Sequence, residues 1–197
     1  MLQAETLDKR AVILEAAFKV FLAYGFRRTT MADIADAAGI SRPALYLEFK
    51  NKADIYRAGF LAMLDRTFRN VDAALEGDGP LCQRLVAALD AGVVAPLRRL
   101  QQSPHGAELF EIKQELAGDL GQDWNTVLEQ SLRRALTDAA AKGELELRGC
   151  CLEAGDLARL IVSCAEGIKK RMTDWHQAED DLGKTIELMV RPLVQKA

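Results

Sequence analysis

Residues 28 to 52, RTTMADIADAAGISRPALYLEFKNK, hold two helix start signals separated by one tight turn. Thr30 can cap a helix over Met31 to Ala38, with Asp33 three residues on to complete a capping box. Gly39, between Ala38 and Ile40, stands where a left-handed residue closes the first helix. Ser41 caps a second helix, and Pro43 is tolerated in its first turn because those amides have no intrahelical partner. Ile34, Ala35, Ala38, Ile40, Leu45 and Phe49 supply one apolar face; Arg28, Thr29, Arg42, Tyr46, Lys50 and Lys52 supply the other. Two crossed helices with a shared core and a cationic, hydroxyl-rich outer face describe a helix-turn-helix.

The remaining pattern is also helical. A helix over about Asp8 to Tyr24 presents Leu14, Ala17, Phe18, Phe21 and Leu22 at helical spacing and stops at Gly25. Asn51 caps a long helix reaching about Glu76, and Gly77-Asp78-Gly79-Pro80 breaks the chain. Further helices are predicted at about 81–94, 96–102, 105–119, 121–142, 153–174 and 178–194. Strand-like alternation is confined to Glu144–Leu147, too short to make a sheet. The net charge of −3 hides an asymmetry: residues 1–58 carry nine Lys/Arg against seven Asp/Glu, the remainder 17 against 22. The basic excess thus lies with the helix-turn-helix, as a local phosphate footprint requires. Neither an apolar run of membrane-spanning length nor a signal-peptide core is present, so a cytoplasmic chain is expected.

The segment AAFKVFLAYGFRRTTMADIADAAGISRPALYLEFKNKADIY resembles the DNA-binding segment of the tetracycline-repressor (TetR) family. Ala16-Ala17, Phe21, Gly25, Thr30, Ile34-Ala35, Ala38-Gly39, Ser41, Leu45-Tyr46, Phe49 and Lys52 fall at the family's spacing. Pro43 and Glu48 depart from it; the family more often has a small residue at the first and an aromatic or His at the second. The resemblance implies an all-α protein, with a three-helix DNA-binding domain over residues 1–58 and an effector-binding and dimerisation bundle over 59–197. Double-stranded DNA with a near-palindromic operator, a second copy of the chain and a small-molecule effector are the implied partners; no cofactor and no membrane partner are expected.

The second helix of the motif should enter the major groove. Arg42 suits guanine O6 and N7, or else a phosphate. Ala44 suits a thymine methyl, and Pro43 offers only shape or apolar contact. Thr30, Tyr46 and Lys52 match positions that contact phosphate in the family, with Lys50 adjacent; Arg27 and Arg28 reach backbone or minor groove, or stay solvated. Thr29 and Ser41 complete the expected DNA-facing set. The last two helices carry apolar stripes, Leu157, Leu160, Ile161, Cys164, Ala165, Ile168 and Met172 on one and Leu182, Ile186, Met189, Val190 and Leu193 on the other. They close a monomeric core or, as the resemblance implies, pair with symmetry mates. An effector would bind among Met63, Phe68, Phe110, Trp124 and Leu128, which otherwise are plain core. The helix from Asn51 to Glu76 is the expected covalent route between the domains.

Enzyme signatures such as GxSxG, HExxH, P-loop or GxGxxG are missing from the sequence. His105, Glu108, Glu111 and Glu115 share a helix face that reads as solvated rather than as a metal site, so no metal is expected. Cys150, Cys151 and Cys164 leave open a rival reading, a thiol or soft-metal sensor, beside the plainer one of small half-buried residues.

Overall fold

The computed structural model describes residues 2–118, 124–147, 152–171 and 174–195, and these are overwhelmingly α-helical, as the sequence pattern requires. The helices are α1 (Leu2–Tyr24), α2 (Met31–Ala37), α3 (Arg42–Glu48), α4 (Lys52–Glu76), α5 (Leu81–Leu89), α6 (Ala95–Gln101), α7 (Gly106–Ala117), α8 (Trp124–Ala141), α9 (Ala154–Arg171) and α10 (Trp175–Met189). The break expected near residue 95 does not occur. A π-helical turn, Asp90–Val94, joins α5 to α6 instead; Pro96 has no amide to offer the Gly92 carbonyl four residues back, and the Trp124 indole N–H donates to that carbonyl in its place. Glu144–Leu147 makes one isolated antiparallel bridge, Leu145 to Val194, and no sheet. Cys150, Cys151 and Met172 lie outside the described residues.

The helices gather into two compact units: residues 1–65 with 99–121, and residues 66–98 with 122–197. The chain therefore passes between the units three times. The expectation that α4 alone links them is corrected, because α6 runs across the boundary at Arg98/Arg99 and α7 belongs with the first unit.

Ile13, Ala17 and Phe21 of α1, Ile34 and Ala35 of α2, Leu45 and Phe49 of α3, Ile55 and Tyr56 of α4, and Leu109 and Ile112 of α7 form the core of the first unit. The buried Tyr56 hydroxyl donates to the Leu109 carbonyl at 2.7 Å, and burial pushes its pKa to about 12. The turn between α1 and α2 is gripped from several sides. Gly25 ends α1 with φ +83°, and a Cβ there would also overlap the Glu108 carboxylate. Thr29 Oγ1 donates to the Gly25 carbonyl at 2.6 Å. The Lys52 ammonium donates to the carbonyls of Phe26, Arg27 and Thr29 at 2.8, 3.0 and 2.9 Å, using all three of its donors. From α7, Glu108 Oε1 accepts the Arg27 amide at 2.7 Å, and from the turn before α7 Ser103 Oγ donates to the Leu22 carbonyl of α1 at 2.7 Å. Glu108, expected on a solvated face, is instead part of the fold.

In the second unit, Val71 and Leu75 of α4, Leu85 and Leu89 of α5, Leu128, Leu132 and Leu136 of α8, and residues of α9 and α10 share one core. Leu157, Ile161, Leu182, Ile186 and Val190 belong to it and are buried within a single chain. This corrects their assignment to a surface that pairs with a second copy: the inward half of the α9 stripe is already covered by α8 and α10, and that of the α10 stripe by α9 and α5. Outward from the stripes lie Leu160, 41% exposed, the exposed Cys164, and Leu188, 78% exposed.

Lys52→Ala is expected to lower the stability of the first unit by about 1–3 kcal/mol, since three carbonyls lose a charged donor; chemical denaturation followed by circular dichroism measures it. Ile161→Asp is expected to unfold the second unit, a loss above about 4 kcal/mol, because an unpaired carboxylate enters a packed core. A well-folded Ile161→Asp protein would return that residue to the surface.

Candidate nucleic-acid interface

Helix α3 is built as its sequence implies. Ser41 Oγ accepts the Ala44 amide at 3.3 Å, and Pro43 occupies the first turn. Leu45 and Phe49 anchor the inner face. Ahead of it, Thr30 Oγ1 accepts the Asp33 amide while Asp33 Oδ2 accepts the Thr30 amide at 2.8 Å, completing the reciprocal box. The Thr30 backbone and hydroxyl hydrogen bonds hold the Asp33 carboxyl below its ordinary value, and the Arg42 charge adds to the effect. Gly39 takes φ +67° between the helices, in the left-handed region that a side chain disfavours.

The outer face of α3 presents Arg42 and Pro43, both exposed, with Tyr46, 55% exposed, one turn on. Ser41 and Thr30 are exposed but serve as caps, Ala44 is half-buried, and Arg28 and Lys50 are exposed. Two members of the expected set are placed differently. Thr29 is buried and its hydroxyl is committed to Gly25, because the turn doubles back there; it does not stand on the outer face. The Lys52 ammonium lies against the Phe26 ring, 4.6 Å from its centroid, as well as on the three carbonyls. Burial lowers its pKa, with the Glu108 charge opposing. Its donors are engaged by the protein, so a phosphate would have to share them.

Sequence reasoning passed over Leu47, which is 85% exposed on this same helix. An apolar residue two positions from a buried Leu45 was the available signal, because successive odd positions on a helix cannot both face inward. It also passed over Lys9 and Arg10 of α1, which approach Glu48 at the end of α3, at 3.5 and 3.6 Å.

The residues expected around an effector divide between the units. Phe68 and Trp124 pack with ring centroids 5.3 Å apart, and Trp124 Nε1 donates to the Gly92 carbonyl of the π-helical turn at 2.8 Å. Leu128 is buried beside Gly92, where a Cβ would meet its methyl at 3.2 Å. Met63 and Phe110 belong to the first unit, and Phe110 is exposed, with Lys113 Nζ 5.9 Å from its centroid. A separate surface cleft of about 500 Å³ in the second unit is polar, edged by Asp72, Glu76, Arg84, Arg134, Asp138 and Glu144. Of the cysteines among the described residues, Cys82 is half-buried and Cys164 exposed, and the described residues include no group of three or more His, Cys, Asp or Glu arranged to hold a metal ion. No helix among the described residues is long and apolar enough to cross a membrane.

Residues 13–58 match the family model described as bacterial regulatory proteins, tetR family. The HTH-type transcriptional regulator TtgR of Pseudomonas putida is 33% identical over 188 residues, 91% of this chain and 87% of that protein. The probable HTH-type transcriptional regulator ArpR of the same species is 33% identical over 150 residues, 72% of this chain and 70% of that protein. Among solved structures, a TetR-family regulator from Pectobacterium atrosepticum superposes with a TM-score of 0.68 at 21% identity, covering 98% of this chain and 97% of that one. The helix-turn-helix geometry and the near full-length match to TtgR agree: this chain is a DNA-binding transcriptional regulator of the TetR family.

Proposed function

We propose that the protein is a homodimeric repressor released from a near-palindromic operator by a small, largely apolar effector. The observation that carries the reading is the outward face of α3. Arg42, Pro43, Tyr46 and Leu47 project from a helix whose other face is fixed in the core of the first unit. Arg42, in the first turn, is the residue to read a base, and Tyr46, Arg28, Lys50 and the capping Thr30 and Ser41 border the phosphates. A seven-residue helix makes too few contacts to select a site alone, and a two-fold dimer doubles them. The outward residues Leu160, Cys164 and Leu188, with Ile168 and Met189 at their margins, are the surface for the second copy. The effector reading rests on Phe68, Trp124 and Leu128 around the π-helical turn, where the indole N–H already spends its hydrogen bond on a backbone carbonyl. SmeT, the repressor of the Stenotrophomonas maltophilia multidrug efflux pump SmeDEF, has been solved in complex with triclosan, and it shares this fold with a TM-score of 0.60.

Arg42→Ala is expected to cost about 1–3 kcal/mol on the cognate site and to relax one base position. Equal weakening on operator and random duplex would assign Arg42 to a phosphate. Leu160→Asp combined with Leu188→Asp is expected to give a folded monomer that loses specific binding to half-sites whose centres lie about 34–36 Å apart or a multiple of that. Sedimentation of this variant as a dimer would overturn the surface. Effector binding, followed by Trp124 fluorescence, is expected to weaken operator affinity, and operator to weaken effector affinity by the same factor, typically about 5–150-fold. A ligand that changes Trp124 emission and leaves operator affinity unchanged would show that this cluster is not the regulatory site.

A further inference from the structure

Glu48 is the last residue of α3, the helix that presents Arg42 and Tyr46. A carboxylate is poorly placed there on two counts. The C-terminal end of a helix carries partial negative charge that favours cations, and the helix docks against a polyanion. The structure surrounds this carboxylate with cations from α1. Lys9 Nζ lies 3.5 Å from one oxygen and Arg10 Nη1 3.6 Å from the other. Arg10 Nη1 also donates to the Glu48 carbonyl at 3.2 Å, and its guanidinium stacks 4.4 Å from the centroid of Phe49. Glu48 is only 14% exposed, whereas Lys9 and Arg10 are 40% and 43% exposed. The carboxylate is thus turned inward, and the two cations lie over it at the surface.

Stability is a weak reason for such a cluster, since half-exposed ion pairs contribute little to folding. Its effect on DNA binding is larger. Sequence-independent affinity is set by the number of phosphates a protein neutralises, and each added cation raises it on every duplex alike. What matters for a regulator is the ratio of operator to random binding. We propose that Glu48 is a specificity-determining residue: it holds Lys9 and Arg10 away from the phosphates beside α3 and so keeps non-specific binding weak. Arg10 additionally positions α3 through the Glu48 carbonyl and Phe49, whereas among the described residues Lys9 meets the carboxylate alone, which makes Lys9 the cleaner reporter.

The test compares native protein, Glu48→Gln, Lys9→Gln and the double variant on random duplex and on operator, each across a salt series. Glu48→Gln is expected to tighten random-duplex binding several-fold, to steepen its log–log salt dependence by about one, and to lower the operator-to-random ratio. Lys9→Gln in the native background is expected to leave the random-duplex slope unchanged; in the Glu48→Gln background it should remove the added unit. A native-background Lys9→Gln slope that falls by about one would mean that Lys9 already sits on phosphate, and the proposal fails even if Glu48→Gln cannot be folded. An unchanged slope and ratio for Glu48→Gln, with its melting temperature intact, overturns it equally. Arg42→Ala on the same duplexes separates this from the reading of α3 itself: if Arg42→Ala leaves operator binding untouched, α3 is not the DNA-facing helix.

Discussion

The turn between α1 and α2 is the constraint on which the DNA-facing geometry rests. It changes the chain's direction in the few residues between Tyr24 and Met31, so its backbone groups leave helical pairing and need other partners. Lys52 takes the carbonyls of Phe26, Arg27 and Thr29, Glu108 takes the amide of Arg27, and Thr29 closes on Gly25. The Thr29–Gly25 bond is buried and the Lys52 bonds to Phe26 and Thr29 are partly so; a carbonyl left unpaired there costs more than the net gain of an ordinary hydrogen bond, so these contacts favour one path for the chain. The start of α2, and through Gly39 the start of α3, inherit their orientation from that path. Positions that look like DNA contacts by charge alone are in part the means by which the contacts are aimed.

Much of this was legible in the residues. The caps at Thr30, Ser41 and Asn51, the reciprocal Asp33, and the left-handed glycines at 25 and 39 all act through neighbours a few positions away, which is the range over which sequence pattern speaks. Long-range partners were not legible. Glu108 lies 81 residues from Arg27, and nothing in its own helix face separates a solvated carboxylate from one that accepts a distant amide. Thr29 and Lys52 were read as outward-facing for the same reason: polarity marks a side chain that wants a hydrogen bond and says nothing of whether water, DNA or the protein provides it.

The apolar stripes of α9 and α10 show a different ambiguity. Ile161 and Leu160 are adjacent in sequence, yet one is fully buried in its own chain and the other is partly open. Periodicity finds a face about a third of the helix wide; it does not separate the part that a helix of the same chain covers from the rim left over. The interior share is the larger, so the strongest apolar positions are the ones the chain's own helices cover. The outward share, Leu160, Cys164 and Leu188, has the weaker pattern and is the part left open for the proposed second copy.

Charge distribution joins these threads. The chain as a whole carries −3, and its basic excess is a small one confined to residues 1–58. Within that segment Lys52 is committed to carbonyls, and Lys9 and Arg10 to Glu48. The cations that remain open to solvent on the DNA-facing side are few, with Arg28, Arg42 and Lys50 among them. A surface so sparing of free positive charge gains little from an arbitrary duplex and must draw a larger share of its affinity from base edges and, on the proposed dimeric reading, from a second copy of α3. In the proposed dimer that share would depend on both recognition helices meeting their grooves at once, so a modest change in their spacing would suffice for release, whereas a densely basic head would stay bound to the backbone wherever the helices pointed.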